Sequence, residues 1–371
     1  MPCHLYRCAM STLWLSVLVA TPSPAPAAAQ SRPAEMEEAE PIDMTILFIR
    51  DPLVQKDLKL DADQQTRIEA LLDENDGPLF RARNLPPREC KAKADALLAR
   101  IEKELEQVLQ PQQRVRFDQI MLRTRGLSGF LQPAAAQALR LTTGQRRRIE
   151  TIVLASQRGR DSSGKWVVSN ADGDERRPGL SEILAVLSDE QRLTWRGLLG
   201  PGFDIARLRP LAFKAPEFRE VDTWLNAKPT ALAALRGQVI LIHFWTASDV
   251  NCTRNYPAYR SLQTAYAKKS VTFIGIHTPE TEDERDVETV RRKAAENKFT
   301  FAIAIDNDKS NWDAWGNQVR PAVYLVDKRG FVRFWWYGEL SGKKNNGEKI
   351  LRARLDALLA EKTDEATTRA N

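Results

Sequence analysis

The chain has 371 residues, 43% of them hydrophobic and 28% charged, with a formal net charge of +6. That length allows two or three domains, and that composition builds ordinary globular cores, which excludes wholesale disorder. A small positive excess with no recognition motif beside it gives no ground for a nucleic-acid partner. With 3 histidines, 4 cysteines and no CxxC, HxxxH or HExxH, neither a zinc site nor a disulfide framework is expected, and no cofactor is implied.

Arg7 precedes the apolar run Met10–Ala20, and Ala27 and Ala29 form a small-x-small cleavage site before Gln30. An apolar run of about eleven residues is short for a bilayer span. Residues 1–29 therefore read as an export signal, with an uncleaved anchor as the alternative. The expected location is the periplasm or cell envelope, with no stable membrane span after cleavage. His243, His277, Cys90 and Cys252 then remain. Residues 30–43 are acidic and proline-containing and read as a flexible leader.

Residues 44–206 carry an internal duplication. Pro52–Glu69 matches Pro133–Glu150 at one offset, with Leu58/Leu139, Leu60/Leu141, Gln64/Gln145 and a shared Arg-Ile-Glu. At nearly the same offset Leu105, Val108, Leu109, Gln113, Arg114 and Phe117 match Ile183, Val186, Leu187, Gln191, Arg192 and Trp195. Two signals per repeat predict tandem helical modules over 44–126 and 127–206. Asp61, Thr142 and Ser188 lie three places before Gln64, Gln145 and Gln191, the spacing of a capping box, and Pro111 marks a first helical turn. These boxes resemble the LTxxQ signals of CpxP/Spy-type exported helical proteins, which bind envelope proteins or act as chaperones; capped bundle helices without that role are the plainer reading. Arg146, Arg147 and Arg148 read as a solvated face or an anionic partner site, and residues 157–178 as a surface loop.

After a boundary between Gly200 and Lys214 the pattern changes. The run VILIHFW after Gln238 suits a strand buried on both faces. A helix over Tyr256–Lys269, strand VTFIGIH, a helix over Asp283–Asn297, strand FAIAI, a short Trp312–Trp315 segment, strands AVYLV and VRFWWY, and a helix over Glu348–Leu359 follow. This order predicts an α/β domain over 213–361, a mixed sheet with helices on both faces in the thioredoxin arrangement, behind the all-α region. Residues 362–371 read as a frayed tail.

The residues here carry a family resemblance. TWLN (Thr223–Asn226), LRGQVILIHFWTAS (Leu235–Ser248), Asn251-Cys252, Pro257, GIHTPE (Gly275–Glu280), DNDKSNWDAWGN (Asp306–Asn317), RPAVYLVDKRG (Arg320–Gly330) and Gly338-Glu339 resemble the exported TlpA/DipZ-type redoxins, relatives of thioredoxin and the AhpC/TSA proteins. The resemblance implies a thioredoxin fold and thiol-disulfide oxidoreductase descent. In that family two cysteines in a CxxC begin the first helix: the first attacks a disulfide as a thiolate and the second resolves the mixed disulfide. Here Asp249 stands at the attacking position and only Cys252, at the resolving position, is kept.

A carboxylate forms no disulfide, so the internal dithiol cycle is closed. Asp249 suits a helix cap. Cys252 reads either as an inert structural thiol or as a monothiol, and pairing with Cys90, on a polar helical segment, is a further alternative. The resemblance marks Pro321 as a cis-proline facing the active-site turn, and Trp245, Thr246, Ser248, Asn251, His277, Glu280 and Arg320 as the pocket. Arg320 is either an ion-pair partner for Asp249 or an exposed arginine. His277 reads as a hydrogen-bonded structural residue or a pocket group, and His243 as a packed one. Trp335, Trp336 and Tyr337 alternate between faces, so one could be exposed for protein binding. Two functions follow: a redox-silent fold that binds envelope polypeptides, or a one-cysteine oxidoreductase or peroxidase that acts through Cys252 with an external thiol reductant.

Overall fold

The computed structural model describes residues 42–158, 179–209, 211–219, 221–341 and 346–361. The export signal, the leader before Ile42, the tail from Lys362 and all but the first two residues of the expected loop at 157–178 lie outside the described residues. Two compact units divide them: 42–72 with 95–211, and 73–94 with 212–361. The sequence boundary near 206–213 is close to the last division, but it leaves 73–94 among the helical modules.

The helices begin with α1 (Pro52–Asp57), α2 (Ala62–Ala82), α3 (Pro87–Val108), α4 (Pro111–Thr124), α5 (Pro133–Ala138), α6 (Thr143–Arg158), α7 (Leu180–Val186) and α8 (Asp189–Leu199). Two residues past the ends of α1 and α5 stand cations in the left-handed region, Lys59 at φ 53° and Arg140 at φ 49°. The capping glutamines do more than cap. Gln64 accepts from the Asp61 N–H at 3.2 Å, and its Nε2 donates to Gln113 at 2.7 Å and to the Val108 carbonyl at 2.8 Å. Gln113 Nε2 returns bonds to Gln64 and to the Leu58 carbonyl. Gln145 and Gln191 repeat the exchange at 2.9 and 3.1 Å, with the Val186 and Leu139 carbonyls as the other acceptors. Each module is thus closed by a reciprocal glutamine pair that satisfies helix-end groups on both sides. Beneath the second pair Phe130 stacks on Trp195 with centroids 3.6 Å apart, among Ile149, Val153, Ile183 and Leu187.

In the other unit, β1 (Phe213–Lys214), β2 (Trp224–Leu225), β3 (Val239–Trp245), β4 (Val271–His277), β5 (Ala302–Ile305), β6 (Ala322–Val326) and β7 (Phe331–Tyr337) form one sheet in the order β1-β7-β6-β3-β4-β5-β2. β3, β4 and β5 are parallel, and β6 joins β3 antiparallel. β3 is buried throughout because it is central and covered on both faces. Val239, Leu241, His243 and Trp245 face a core shared with α9 (Val250–Tyr266), α10 (Val287–Glu296) and, beyond the short α11 (Ser310–Ala314), α12 (Gly347–Ala360). Two helix starts differ from the sequence expectation. α9 begins at Val250 because Asp249 caps it, and α10 begins at Val287 because Asp286 caps it after a Thr281–Glu284 capping turn.

The opposite face of the sheet meets residues 73–94. Phe80 packs edge-on against Trp335, Tyr324 and Trp315 at 5.8, 6.1 and 6.3 Å, and lies 5.8 Å from Phe213. Arg83 is fully buried with its guanidinium 3.5 Å from the Phe80 centroid, and donates to the Trp315 carbonyl and the Tyr324 hydroxyl, both at 2.9 Å, and to the Tyr337 hydroxyl at 2.8 Å. These partners are all neutral, so the cation is held by dipoles and ring faces. The expectation of an exposed aromatic in Trp335-Trp336-Tyr337 is corrected: Trp336 packs on the α9/α12 side, and Trp335 and Tyr337 lie against the Phe80–Arg83 segment. Cys90, expected on a polar segment, is buried on α3, and it does not pair with Cys252, which is a free thiol.

Phe80→Ala should destabilise the full chain by about 3–5 kcal/mol, the usual loss for a buried phenylalanine. Urea unfolding followed by tryptophan fluorescence reads this directly, and a loss below about 1 kcal/mol would show that the sheet does not depend on this segment.

Candidate functional site

The site sits where three chain segments leave the sheet side by side. Register sets Trp245 of β3 against His277 of β4, and Phe244 against Ala322 of β6, which places Pro321 beside the end of β3. The Arg320–Pro321 bond is cis, and the Pro321 carbonyl accepts from Gly338 at 2.8 Å. Thr246–Asp249 then leads into α9, and the Thr278 N–H donates to the Trp245 carbonyl at 3.1 Å.

At the head of α9, Asp249 Oδ1 accepts from the Asn251 N–H at 2.5 Å and the Cys252 N–H at 3.3 Å. Three properties of the sequence at 249–252 thus act together: a capping acid, helix-end donors and a thiol in the first turn. Cys252 is fully buried among Trp245, Tyr256 and Tyr259. Burial pushes its thiol up to about 12, the Asp249 and Glu280 carboxylates push the same way, and the Thr246 backbone hydrogen bond and the Arg320 charge oppose this only partly. The thiolate needed for nucleophilic attack is therefore scarce at neutral pH.

Sequence reasoning missed the residue that holds the site together. Glu284, almost fully buried, accepts from the Thr246 hydroxyl, the Ser248 N–H at 2.6 Å, the Glu280 N–H at 2.8 Å and the Thr281 N–H at 3.4 Å. One carboxylate so ties the loop after β3 to the loop after β4. Its own burial would raise its pKa, but the bonds from Thr246, Glu280 and Ser248 outweigh this and hold it down to about 2. The signal was present in the sequence as Thr281-x-x-Glu284.

The other expected pocket residues divide. Trp245 and Thr246 are buried, Asn251 is half-buried, and Ser248 and Glu280 are exposed at the rim. His277 is fully buried 5.0 Å from Trp245, and neither ring nitrogen has a hydrogen-bond partner among the described residues, which corrects the hydrogen-bonded reading. Burial holds it down to about 4, so it is neutral at pH 7. His243 packs as expected, stacked on Tyr259 at 4.2 Å. Arg320 is half-buried with its guanidinium 4.1 Å from the centre of Trp312, and among the described residues it makes no ion pair with Asp249. Trp312 is thus a second residue the sequence did not mark. Val250 and Val319, next to the cap and the cis-proline, are 56% and 49% exposed.

A parallel strand, a capped helix and a cis-proline loop meeting at one sheet end define a thioredoxin-like redoxin domain. The AhpC/TSA family model matches residues 212–335. Protein DipZ of Mycobacterium bovis is 37% identical over 145 residues, 38% of this chain and 21% of DipZ, so the chain spans about a fifth of that relative. Thiol-disulfide oxidoreductase YkuV of Bacillus subtilis is 31% identical over 146 residues, 39% of this chain and 94% of YkuV. A solved thioredoxin-like protein in its oxidised form is 31% identical, covers 41% of this chain and 98% of its own, and has a TM-score of 0.36. The chain belongs, through this domain, to the thioredoxin-like thiol-disulfide oxidoreductase family.

The pKa of Glu284 sets a pH limit. Because its folded value of about 2 lies below the ordinary 4.5, its stabilisation is complete above about 4.5 and is lost as pH falls toward 2. The shift corresponds to at most about 3 kcal/mol. Glu284→Gln should flatten the acid limb of a stability-against-pH curve over that window; an unchanged limb would show that this carboxylate does not carry it.

Proposed function

We propose that this protein is a redox-silent member of its family that binds extended polypeptides in the cell envelope, using the groove between the Asp249 cap and the Pro321 loop. The observation that carries this reading is the occupation of the attacking position by a carboxylate already engaged with the helix end, above a resolving thiol that is buried and pushed up to about 12. The frame that would hold a peptide persists around it: the cis-proline, the Glu284 tie and the exposed Val250 and Val319. Export rests on the N-terminal signal pattern, and among the described residues no helix is long and apolar enough to cross a membrane.

Two experiments test it. Binding of a reduced, carboxymethylated unfolded polypeptide, which has no thiol to exchange, should be unchanged by Cys252→Ser and weakened at least about tenfold by Val319→Asp, the cost of about 1.4 kcal/mol. Loss of binding in Cys252→Ser would favour the one-cysteine alternative. Asp249→Cys should create a 249–252 dithiol that reduces insulin, since the rest of the redoxin frame is intact; a folded, inactive variant would count against descent of this pocket from a dithiol site.

A further inference from the structure

We propose that Arg320 is a specificity-determining residue of the groove: it takes a carboxylate side chain, so that the polypeptide segment lying against the Pro321 loop carries an aspartate or a glutamate there. This deepens the proposed binding function and rests on it. The Arg320 guanidinium lies 4.1 Å from the centre of the Trp312 ring. Its Nε is buried without a hydrogen-bond partner, and its terminal nitrogens bond nothing among the described residues. The side chain is therefore positioned by a ring face, and its N–H groups stay unused.

The nearby acids are engaged elsewhere. Asp249 accepts from the N–H groups of Asn251 and Cys252, and Glu284 from Thr246, Ser248 and Glu280. Asp306 accepts from the N–H groups of Asn311 and Trp312. Glu280 is exposed at the rim, and among the described residues it makes no ion pair with Arg320. The Arg320 charge nevertheless reaches the site, since beside the dominant effect of burial it acts on both the Cys252 thiol and the His277 ring.

Placement makes this cation part of the groove. Arg320 immediately precedes the cis-proline, whose carbonyl is fixed by the Gly338 N–H at 2.8 Å, and Val319 on its other side is exposed. One short stretch thus offers an apolar contact and, next to it, a guanidinium with no acid of its own. A half-buried charge of this kind favours a ligand that brings the opposite charge. A carboxylate matches it best, because its two oxygens align with neighbouring N–H groups of a guanidinium. Stacking on Trp312 fixes the fork in advance, so little freedom is lost when the acid binds.

The test compares peptides in matched pairs. Two pools of cysteine-free synthetic peptides of about twelve residues, neutral except for a central Glu in one pool and uncharged with Gln there in the other, are screened against the full chain. The tightest binders are then made in both forms. Fluorescence anisotropy at low salt should show each Glu form bound at least about fivefold more tightly than its Gln twin, and added salt should narrow the gap. With Arg320→Gln the two forms should bind alike. With Arg320→Lys the preference should shrink but persist, because the charge is kept and the fork is lost. An arginine with only a structural role would instead weaken both forms by the same factor when replaced. Equal binding of the two forms by the unaltered chain overturns the acid preference and leaves polypeptide binding in place, as does a Glu preference that survives Arg320→Gln. No binding from either pool overturns the proposed function together with this inference.

Discussion

The N-terminal turn of α9 needs an acceptor for its unpaired N–H groups, and the chemistry of the site depends on what supplies it. In a dithiol member of the family that electropositive end is available to a thiolate. Here the Asp249 carboxylate bonds the Asn251 and Cys252 N–H groups. The same acid caps the helix at the position the resemblance gives to the attacking cysteine, and its charge adds to burial, the larger cause, in pushing the neighbouring thiol up.

What surrounds that point is held firmly. Glu284 gathers donors from two loops, and the cis Arg320–Pro321 segment lies across from them with Arg320 stacked on Trp312. On the far side of the sheet, Phe80 and Arg83 pack against the strands that carry Tyr324 and Tyr337, so the tail of β7 is structural. The proposed binding of a chain rests on these elements.

Much of this was legible in the sequence where one residue's chemistry or a simple period sufficed. VILIHFW announced a central strand because both faces are buried, and Asp249 was legible as a helix cap. The capping spacing found Gln64, Gln145 and Gln191, but the reciprocal bonds between Gln64 and Gln113 and between Gln145 and Gln191 join residues far apart in sequence, which no local period reveals. Phe80, near the end of α2, and Arg83, just past it, lie in a stretch read only as part of a helical module, which does not say what they pack against. Glu284 falls inside the helix expected over Asp283–Asn297, and its burial arises only when the loops after β3 and β4 close over it. Cys90 lies on the polar helix α3 as the sequence indicates, and its burial likewise follows from neighbours in space that the sequence does not show.

The most direct test of the central claim is the rate of Cys252 alkylation by iodoacetamide as a function of pH in the folded protein, read by peptide mass spectrometry. The account predicts that Cys252 stays unlabelled until denaturant is added, in keeping with a buried thiol pushed up to about 12. Rapid labelling of the native protein, with an apparent pKa below the free-thiol value of about 8.5, would contradict it and make one-cysteine redox chemistry the function of this domain.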